Sequence, residues 1–233
     1  MSNYLYGKNS FVEALNSDRI QKAYVLKDSS FIDSLKRKHI EYEIVERRVL
    51  DKMSNSGNHQ GCLAQIKEYK LSSLEELVKK ENGLIVILDG LKDPHNLGAI
   101  IRSVEAAGGD GVIYKKHNSV KLNDTVSKVA SGALEYVKVC EVTNLVNTLK
   151  RLKELGYWIV GSDASAKLSY TDVDYNRNIA LIVGSEGEGI SRLVLEECDY
   201  VVSMPMRGHV NSLNASVAAG ILVYNCLAKR DIH

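Results

Sequence analysis

The stretch that decides the fold is residues 179–189, IALIVGSEGEG, in which five apolar residues run directly into a polar, glycine-rich segment. A short continuous apolar run of this kind is typical of a strand buried on both faces of a parallel sheet. The polar segment would then lie at the carboxyl end of the strand, where open parallel sheets bind their ligands. The sequence therefore predicts a ligand site beside Gly184.

Two other polar segments follow predicted strands in the same way. Residues 93–98, DPHNLG, come after the apolar run 84–88 and lead to Arg102. Residues 204–216, MPMRGHVNSLNAS, follow the apolar segment that begins at Tyr200. Because the carboxyl ends of parallel strands lie along one edge of a sheet, we expect all three polar segments to meet at one site.

From residue 84 onward, strand and helix patterns alternate, which predicts an α/β fold with a parallel sheet covered on both faces. The predicted strands are 84–88, 111–114, 136–140, 158–160, 179–183 and 200–204, and the predicted helices are 96–107, 122–131, 144–155, 190–196 and a long final helix from about residue 213.

The first seventy residues predict a separate, small α/β domain. Helical patterns at 9–16 and 30–38 alternate with strand patterns at 22–26, 42–45 and 61–66, and residues 54–61 form a polar loop. Ser73 and Glu76 then fit a capping box at the start of a polar helical segment. We therefore expect domains at 1–70 and 83–233, joined by a linker at 71–82.

Composition excludes several classes of protein. The chain has 233 residues and is 45% hydrophobic, but its longest apolar run, 179–183, is far too short to span a bilayer. The amino terminus lacks the pattern of a signal peptide, which makes the cytoplasm the expected compartment. Four widely spaced cysteines, without a C-x-x-C pair, suggest neither a zinc site nor a disulfide framework.

Charge is distributed unevenly along the chain. The net charge is +1, but residues 1–70 carry 12 basic against 9 acidic side chains, a net of +3. Within them, Lys36 with Arg37 and Arg47 with Arg48 form local clusters that can meet RNA phosphates. A solvated helix face is the commoner explanation of such clusters, so the charge pattern alone is weak evidence for RNA binding.

The glycine spacing argues against two common nucleotide sites. Glycines at 184, 187 and 189 give G-x-x-G-x-G, whereas a dinucleotide loop has G-x-G-x-x-G, and the Lys-Ser/Thr of a P-loop is missing. Glu186 and Glu188 would repel phosphate and suit a cationic or hydroxyl-rich ligand better, and a sulfonium fits this sign. The segment also lacks the G-x-S-x-G frame of a serine hydrolase, and no residue spacing predicts a metal site.

The three motifs together resemble those of the SpoU, or TrmH, branch of the SPOUT RNA ribose 2′-O-methyltransferases. The match covers most of the chain. Tyr6-Gly7 and His59-Gln60-Gly61 are similar to the RNA-binding domain, resembling a ribosomal-protein fold, that precedes the catalytic domain in the RlmB-like subgroup. That subgroup methylates a guanosine ribose in the peptidyl-transferase loop of 23S ribosomal RNA.

The resemblance implies S-adenosylmethionine as methyl donor, a SPOUT-type sheet with a C-terminal trefoil knot, and a homodimer with sites at the subunit interface. We expect neither a metal nor a membrane partner, because the residue spacing and the composition suggest none. The positions that correspond to the cofactor pocket are Val183, Gly184, Glu186, Met204, Met206, Ser212 and Leu213.

The resemblance also assigns catalytic positions, namely Asn96, Arg102, Glu186, Ser212 and Asn214. Arg102 matches an arginine often described as the base. A guanidinium holds its proton at neutral pH and its forked donors suit phosphate, so our hypothesis is that Arg102 clamps the target phosphate, which accepts or relays the proton. Asn96 would orient Arg102 or the ribose, and Glu186 would pair with an arginine across the interface.

Plain structural roles compete with these assignments. Asn96, Ser212 and Asn214 are residue types that cap helices, and Glu186 suits a solvated loop. The expected RNA contacts are Lys36, Arg37, Arg47, Arg48, His59, Gln60, Arg102 and Arg207. Two other functions stay open, a methyltransferase acting on transfer RNA and a catalytically silent RNA-binding protein with the same fold.

Overall fold

The amino-terminal part of the chain forms a four-stranded mixed sheet with helices against it. The structure is a computed structural model that describes residues 4–67, 69–79 and 81–230. Its first elements are β1 (Tyr4–Tyr6), α1 (Lys8–Asn16), β2 (Ile20–Val25), α2 (Ile32–Arg37), β3 (Glu41–Ile44), α3 (Arg47–Met53) and β4 (Cys62–Ile66). The strand order is β1-β4-β2-β3, with β2 and β3 parallel and the other pairs antiparallel.

Two of these elements were not predicted from the sequence. The strand β1 has only three residues, too few to show a period of two. The helix α3 buries only Leu50, so its sequence shows no apolar stripe. The five predicted elements of this region are present, with boundaries shifted by at most two residues.

The linker packs against the larger domain. Its helix α4 (Leu74–Leu77) begins with the predicted capping box, in which the backbone N–H of Ser73 donates to Oε2 of Glu76 at 2.6 Å. Leu77 is buried in the core of the larger domain, and the N–H of Ser72 donates to the carbonyl of Val139 at 2.8 Å. These contacts fix the path of the chain between the two sheets.

The larger domain is built on a seven-stranded sheet, as follows: β5 (Leu84–Asp89), α5 (Pro94–Ala106), β6 (Gly111–Lys115), α6 (Asp124–Ala130), a 3₁₀ turn (Ala133–Glu135), β7 (Lys138–Val142), α7 (Leu145–Glu154), β8 (Trp158–Ser162), β9 (Leu168–Ser169), β10 (Ile179–Gly184), α8 (Arg192–Leu195), β11 (Tyr200–Ser203) and α9 (Ala215–Arg230). The strand order is β7-β6-β5-β10-β8-β11-β9, and every neighbouring pair is parallel.

Both faces of this sheet are covered. Along β5, Leu84, Val86 and Leu88 belong to one apolar cluster, which also contains residues of α5, α6 and α9. The alternate residues Ile85 and Ile87 belong to a second cluster, with residues of α4, α7 and α8. This alternation explains the continuous apolar strands, and it confirms the predicted α/β fold with a parallel sheet.

Three details differ from the prediction. The predicted helix 190–196 is reduced to the four residues of α8, and the two-residue strand β9 was not predicted. The predicted strand 136–140 starts later, because residues 133–135 form a 3₁₀ turn before β7.

The two domains meet through a partly buried polar contact. Arg19, in the turn between α1 and β2, forms an ion pair with Glu135, and their side chains are 13% and 3% exposed. The Arg19 guanidinium carbon also lies 3.3 Å from the centroid of the Tyr69 ring. Ser17 donates a hydrogen bond of 2.7 Å to the same Glu135 carboxylate. The contact ties α1 to the 3₁₀ turn of the larger domain.

Candidate active site

Two of the three predicted polar segments, those after β10 and β11, line one cavity of about 430 Å³ at the carboxyl edge of the sheet, together with the turn after β8. The third predicted segment, residues 93–98, does not line the cavity and is joined to it by the hydrogen bond from Asn96 to Glu186. The cavity is lined by Ser162, Asp163, Ala164, Ser165, Val183, Gly184, Ser185, Glu186, Gly187, Glu188, Gly189, Val202, Met204, Met206, Asn211, Ser212, Leu213, Ala215 and Ala218. All seven positions predicted for the cofactor pocket are among them.

The glycine-rich loop after β10 folds back on the end of its own strand. The backbone groups of Ser185 and Gly189 exchange two hydrogen bonds, of 3.1 and 3.0 Å, and Gly187 and Gly189 adopt positive φ angles of 90° and 68°. A Cβ atom at Gly184 would overlap the backbone of Gly189 and Ile190. Glycine is therefore required at Gly184 for the loop to close on the strand.

Three side chains join at the edge of the cavity. Nδ2 of Asn96 donates to Oε1 of Glu186 at 2.8 Å, and Nδ2 of Asn214 donates to the same oxygen at 2.7 Å. Nδ2 of Asn214 also donates to Oδ1 of Asn96 at 3.0 Å. The Asn96 side chain is buried, whereas Glu186 and Asn214 are exposed. The cluster thus links a buried amide to a carboxylate at the surface.

Asn96 and Asn214 lie at the starts of α5 and α9. Asp93 caps α5, because its Oδ1 accepts from the N–H of His95 at 2.9 Å, so capping does not explain Asn96. Asn214 does cap α9, since its Oδ1 accepts from the N–H of Ser216 at 2.9 Å, while its Nδ2 serves the cluster. Ser212 lies on the cavity wall and is not the cap of α9.

Sequence reasoning missed an acidic turn in the cavity wall. Oδ1 of Asp163 accepts from the N–H and the hydroxyl of Ser165, at 2.8 and 2.6 Å, and these bonds lower the pKa of Asp163 below its usual value. The turn follows β8, which the sequence predicted as a strand. Its position at the carboxyl end of a predicted strand is the signal that could have identified it. An ionised carboxylate here favours a ligand with positive charge.

The loop after β5 supports the glycine-rich loop. Asp89 is buried, and its Oδ2 accepts from the N–H of Ser191 at 2.8 Å. A Cβ atom at Gly90 would lie 3.6 Å from Cβ of Ser185, so the two loops are in close contact. This support holds Glu186 beside the start of α5.

Arg102 is not brought to the cluster within one chain. Its side chain is exposed on α5 and forms no hydrogen bond or ion pair with the residues that the structure describes. Six residues at about 100° each place it roughly 120° around the helix from Asn96.

The residues predicted to contact RNA are mostly on the surface. Lys36, Arg37, Arg47, Arg48 and Arg207 are exposed.

Within the predicted loop, Gln60 and His59 have structural roles. The side chain of Gln60 is exposed, and its Oε1 accepts from the N–H of Lys8 at the start of α1, at 2.8 Å. His59 is only 3% exposed. Its Nε2 lies 3.0 Å from Asp51, and its Nδ1 accepts from the N–H of Gly61 at 3.0 Å. His59 therefore does not offer its ring to RNA, which corrects that prediction.

Two features are absent from the described residues. Nowhere in 4–67, 69–79 and 81–230 do three or more His, Cys, Asp or Glu side chains gather as a metal-binding group. Over the same residues, no helix combines the length and apolar character needed to cross a bilayer.

Family models match both parts of the chain. Residues 83–224 match the SpoU rRNA Methylase family. Residues 4–72 match a family described as RNA 2′-O ribose methyltransferase substrate binding. Together the two models cover nearly the whole chain.

Similar proteins extend over the same length. YacO of Bacillus subtilis strain 168, named for the TrmH family of tRNA/rRNA methyltransferases, is 42% identical over 98% of this chain and 96% of its own. The SpoU methyltransferase AviRb from Streptomyces viridochromogenes, in complex with the cofactor AdoMet, has the same fold, with a TM-score of 0.86 at 23% identity over 98% of this chain and 90% of that one. A crystal structure of an RNA 2′-O ribose methyltransferase gives a TM-score of 0.82 at 26% identity, over 98% and 89%.

These matches confirm the resemblance stated from the motifs and the predicted enzyme class. They also confirm the predicted cofactor at the level of the family, whose members use S-adenosylmethionine. This chain belongs to the SpoU, or TrmH, family of RNA methyltransferases.

Proposed function

We propose that this protein transfers the methyl group of S-adenosylmethionine to the ribose 2′-hydroxyl of a guanosine in the peptidyl-transferase loop of 23S ribosomal RNA. The observation that carries the proposal is the cluster of Asn96, Glu186 and Asn214 at the edge of the cavity. These side chains would offer hydrogen-bonding groups to a ribose, and they lie next to a cavity of small-molecule size.

The cavity suits the proposed cofactor in size and in chemistry. Its volume of about 430 Å³ lies in the range of small-molecule sites. Val183, Met206 and Leu213 provide an apolar wall, and Gly184 lets the main chain approach a ligand closely. Asp163 supplies negative charge on another wall. Bound there, S-adenosylmethionine supplies an electrophilic methyl group on a sulfonium.

We assign the polar side chains to positioning. Asn96 and Asn214 both donate to Oε1 of Glu186, and among the described residues Oε2 accepts from none, so it is available to a further donor. Ser212 lies on the cavity wall near Asn214 in sequence and would hold the ribose end of the site. Attack on a methyl group must be in line, so fixed groups of this kind can supply much of the rate.

The further donor to Glu186 would be Arg102 of a second copy of the chain. Arg102 is exposed and unpaired among the described residues, on a different face of α5 from Asn96. The helix α9 exposes two apolar side chains seven residues apart, Val217 at 50% and Tyr224 at 49%. Exposed apolar residues on one helix face favour burial against a partner. We therefore propose a homodimer in which Arg102 also clamps the target phosphate.

We further propose that the chain end forms a trefoil knot, with α9 drawn through the loops that surround the cavity. The support is that residues before and after β11 line the same cavity, and that α9 packs against α5 and β10. A crystal structure of the protein with bound cofactor would show directly whether the chain is threaded in this way.

The small domain is proposed to bind the RNA substrate, with domain boundaries at 1–70, 71–82 and 83–233. Its exposed Lys36, Arg37, Arg47 and Arg48 can meet phosphates without reading sequence. The presence of this domain favours ribosomal RNA. Because the residues of the cluster do not read a base sequence, transfer RNA remains the second candidate substrate.

The test is methyl transfer from radiolabelled S-adenosylmethionine to unmodified 23S ribosomal RNA and, in parallel, to unmodified transfer RNA, with mapping of 2′-O-methyl positions. We expect label on a guanosine of the peptidyl-transferase loop. Label on transfer RNA alone would overturn the substrate. Label on neither would favour the catalytically silent RNA-binding protein.

A further inference from the structure

A basic surface lies beside the candidate site, formed by the loops that follow β5 and β6. We call it the β5–β6 shelf and define it by Lys92, Lys116, His117 and Lys121. All four side chains are exposed. They surround a shallow depression of about 480 Å³ together with residues 118–120.

The two loops of the shelf are joined. The N–H of Val120 donates to the carbonyl of Leu91 at 2.7 Å, and the hydroxyl of Ser119 donates to the same oxygen at 3.1 Å. Leu91 and Val120 are both buried. The N–H of Lys116 is bound to the carbonyl of Val142 on the neighbouring strand at 2.8 Å. The backbone that carries the cations is therefore fixed, and only the side chains need to order when a ligand binds.

The positive charge of the shelf is largely unbalanced. Lys116 Nζ lies 4.0 Å from a carboxylate oxygen of Glu141, which is a long and weak ion pair. Within the described residues, Lys92 and Lys121 have no carboxylate at ion-pair distance. A fixed excess of positive charge raises the local concentration of a polyanion. The shelf is therefore suited to phosphates.

The position of the shelf relates it to the reaction. The sheet order places β6 and β5 on one side of β10, and β8 and β11 on the other. The cavity lies on the side of β8 and β11, whereas the shelf lies on the side of β6. Asn96 and Glu186 stand between them, because α5 follows Lys92 directly. A ribose held at this cluster would have the cofactor pocket on one side and the shelf on the other.

We propose that the β5–β6 shelf binds backbone phosphates of the RNA strand next to the target nucleotide, on the side of the site away from the cofactor. This inference rests on the proposed function and adds a second RNA contact surface, on the catalytic domain itself. Lysines bind phosphate as point charges, so the shelf positions the strand and does not read its sequence.

The test compares the triple variant K92Q/K116Q/K121Q with wild type in RNA affinity at several salt concentrations. Three lost contacts to single-stranded RNA should reduce the slope of log affinity against log salt by about 2. We expect KM for RNA to rise tenfold or more, with kcat and the Kd of S-adenosylmethionine unchanged. The variant K92R/K116R/K121R keeps the charges and should restore the wild-type slope.

A matched control removes three cations elsewhere. Lys150, Arg151 and Lys153 lie on α7, in the layer on the opposite face of the sheet from α5. The variant K150Q/R151Q/K153Q changes the net charge equally and should keep the wild-type slope. An unchanged slope in the shelf variant would overturn the inference. So would an equal reduction of the slope in the control variant.

The same variants separate this inference from the proposed function. Affinity for poly(U) measures the shelf without any methyl transfer. If the wild-type protein methylates neither RNA but the shelf variant alone loses salt-dependent poly(U) binding, the proposed function fails and the shelf stands. If the wild-type protein methylates RNA and the shelf variant binds poly(U) and substrate normally, the shelf fails and the function stands.

Discussion

Asn96 and Glu186, ninety residues apart in the chain, are joined by a hydrogen bond of 2.8 Å from Nδ2 to Oε1. Asn96 is buried and is fixed by the first turn of α5, whereas Glu186 sits on an exposed loop. The bond therefore joins the glycine-rich loop to the start of α5.

Replacing Asn96 with Asp tests this bond with almost no change in shape. The variant loses the amide donor and puts a second carboxylate beside Glu186, so we expect the free energy of unfolding to fall by about 2 kcal/mol and methyl transfer to fall at least tenfold. Urea unfolding and a methyl-transfer assay measure the two effects. Asn144→Asp is the control, because Asn144 caps α7 and Asp caps a helix equally well. If the two variants lost equal amounts of stability and of methyl transfer, the role assigned to Asn96 would be contradicted.

Gly184→Ala should abolish cofactor binding. The added Cβ would overlap the backbone of Gly189 and Ile190, so the loop 185–189 must open away from β10. Calorimetric titration with S-adenosylmethionine should show no saturable binding. Gly208→Ala is the control, because no atom lies within 4 Å of its added Cβ. Normal binding of S-adenosylmethionine by the Gly184 variant would show that the loop 185–189 does not form part of the cofactor site.

Arg102→Lys distinguishes a phosphate clamp from a base. Lysine keeps the charge but loses the forked donors, so the clamp predicts that RNA affinity and turnover fall together. Filter binding and single-turnover methyl transfer measure them separately. Loss of turnover with unchanged affinity would favour the base assignment.

The contact between the domains should contribute strongly to stability. Glu135→Gln leaves the partly buried guanidinium of Arg19 without its anion, and we expect a loss of about 3 kcal/mol in the free energy of unfolding. Glu43→Gln removes an exposed ion pair with Lys22 and should cost less than about 1 kcal/mol. Urea unfolding of both variants measures the difference, and similar losses would show that burial adds nothing at the domain contact.

The cysteine thiols should resist modification while the protein is folded. Burial raises the pKa of Cys62, Cys140 and Cys226 from 9.0 to about 11. Because the folded pKa lies above the unfolded value, ionisation of these thiols does not lower the free energy of unfolding below pH 9. It lowers the free energy of unfolding as the pH rises towards 11. At pH 8 a disulfide reagent should label these thiols only as fast as the chain unfolds. Rapid labelling in the native state would contradict their burial.

The sequence by itself determined most of the local structure and the family. Continuous apolar runs such as 179–183 specified buried parallel strands, and Ser73 with Glu76 specified a helix start. Each of these signals is contained within a few neighbouring residues, because strand burial and helix capping depend on local spacing. The same is true of the three motifs that pointed to the SpoU family.

Only the tertiary structure decided which distant side chains meet. Asn96 and Asn214, separated by 118 residues, share a hydrogen bond because the starts of α5 and α9 lie side by side at the edge of the sheet. Tertiary packing elsewhere in the fold buries His59 and joins the two loops of the β5–β6 shelf. Local periodicity contains neither the rotation of one helix against another nor the contact of two loops, so these relationships arise only when the chain folds.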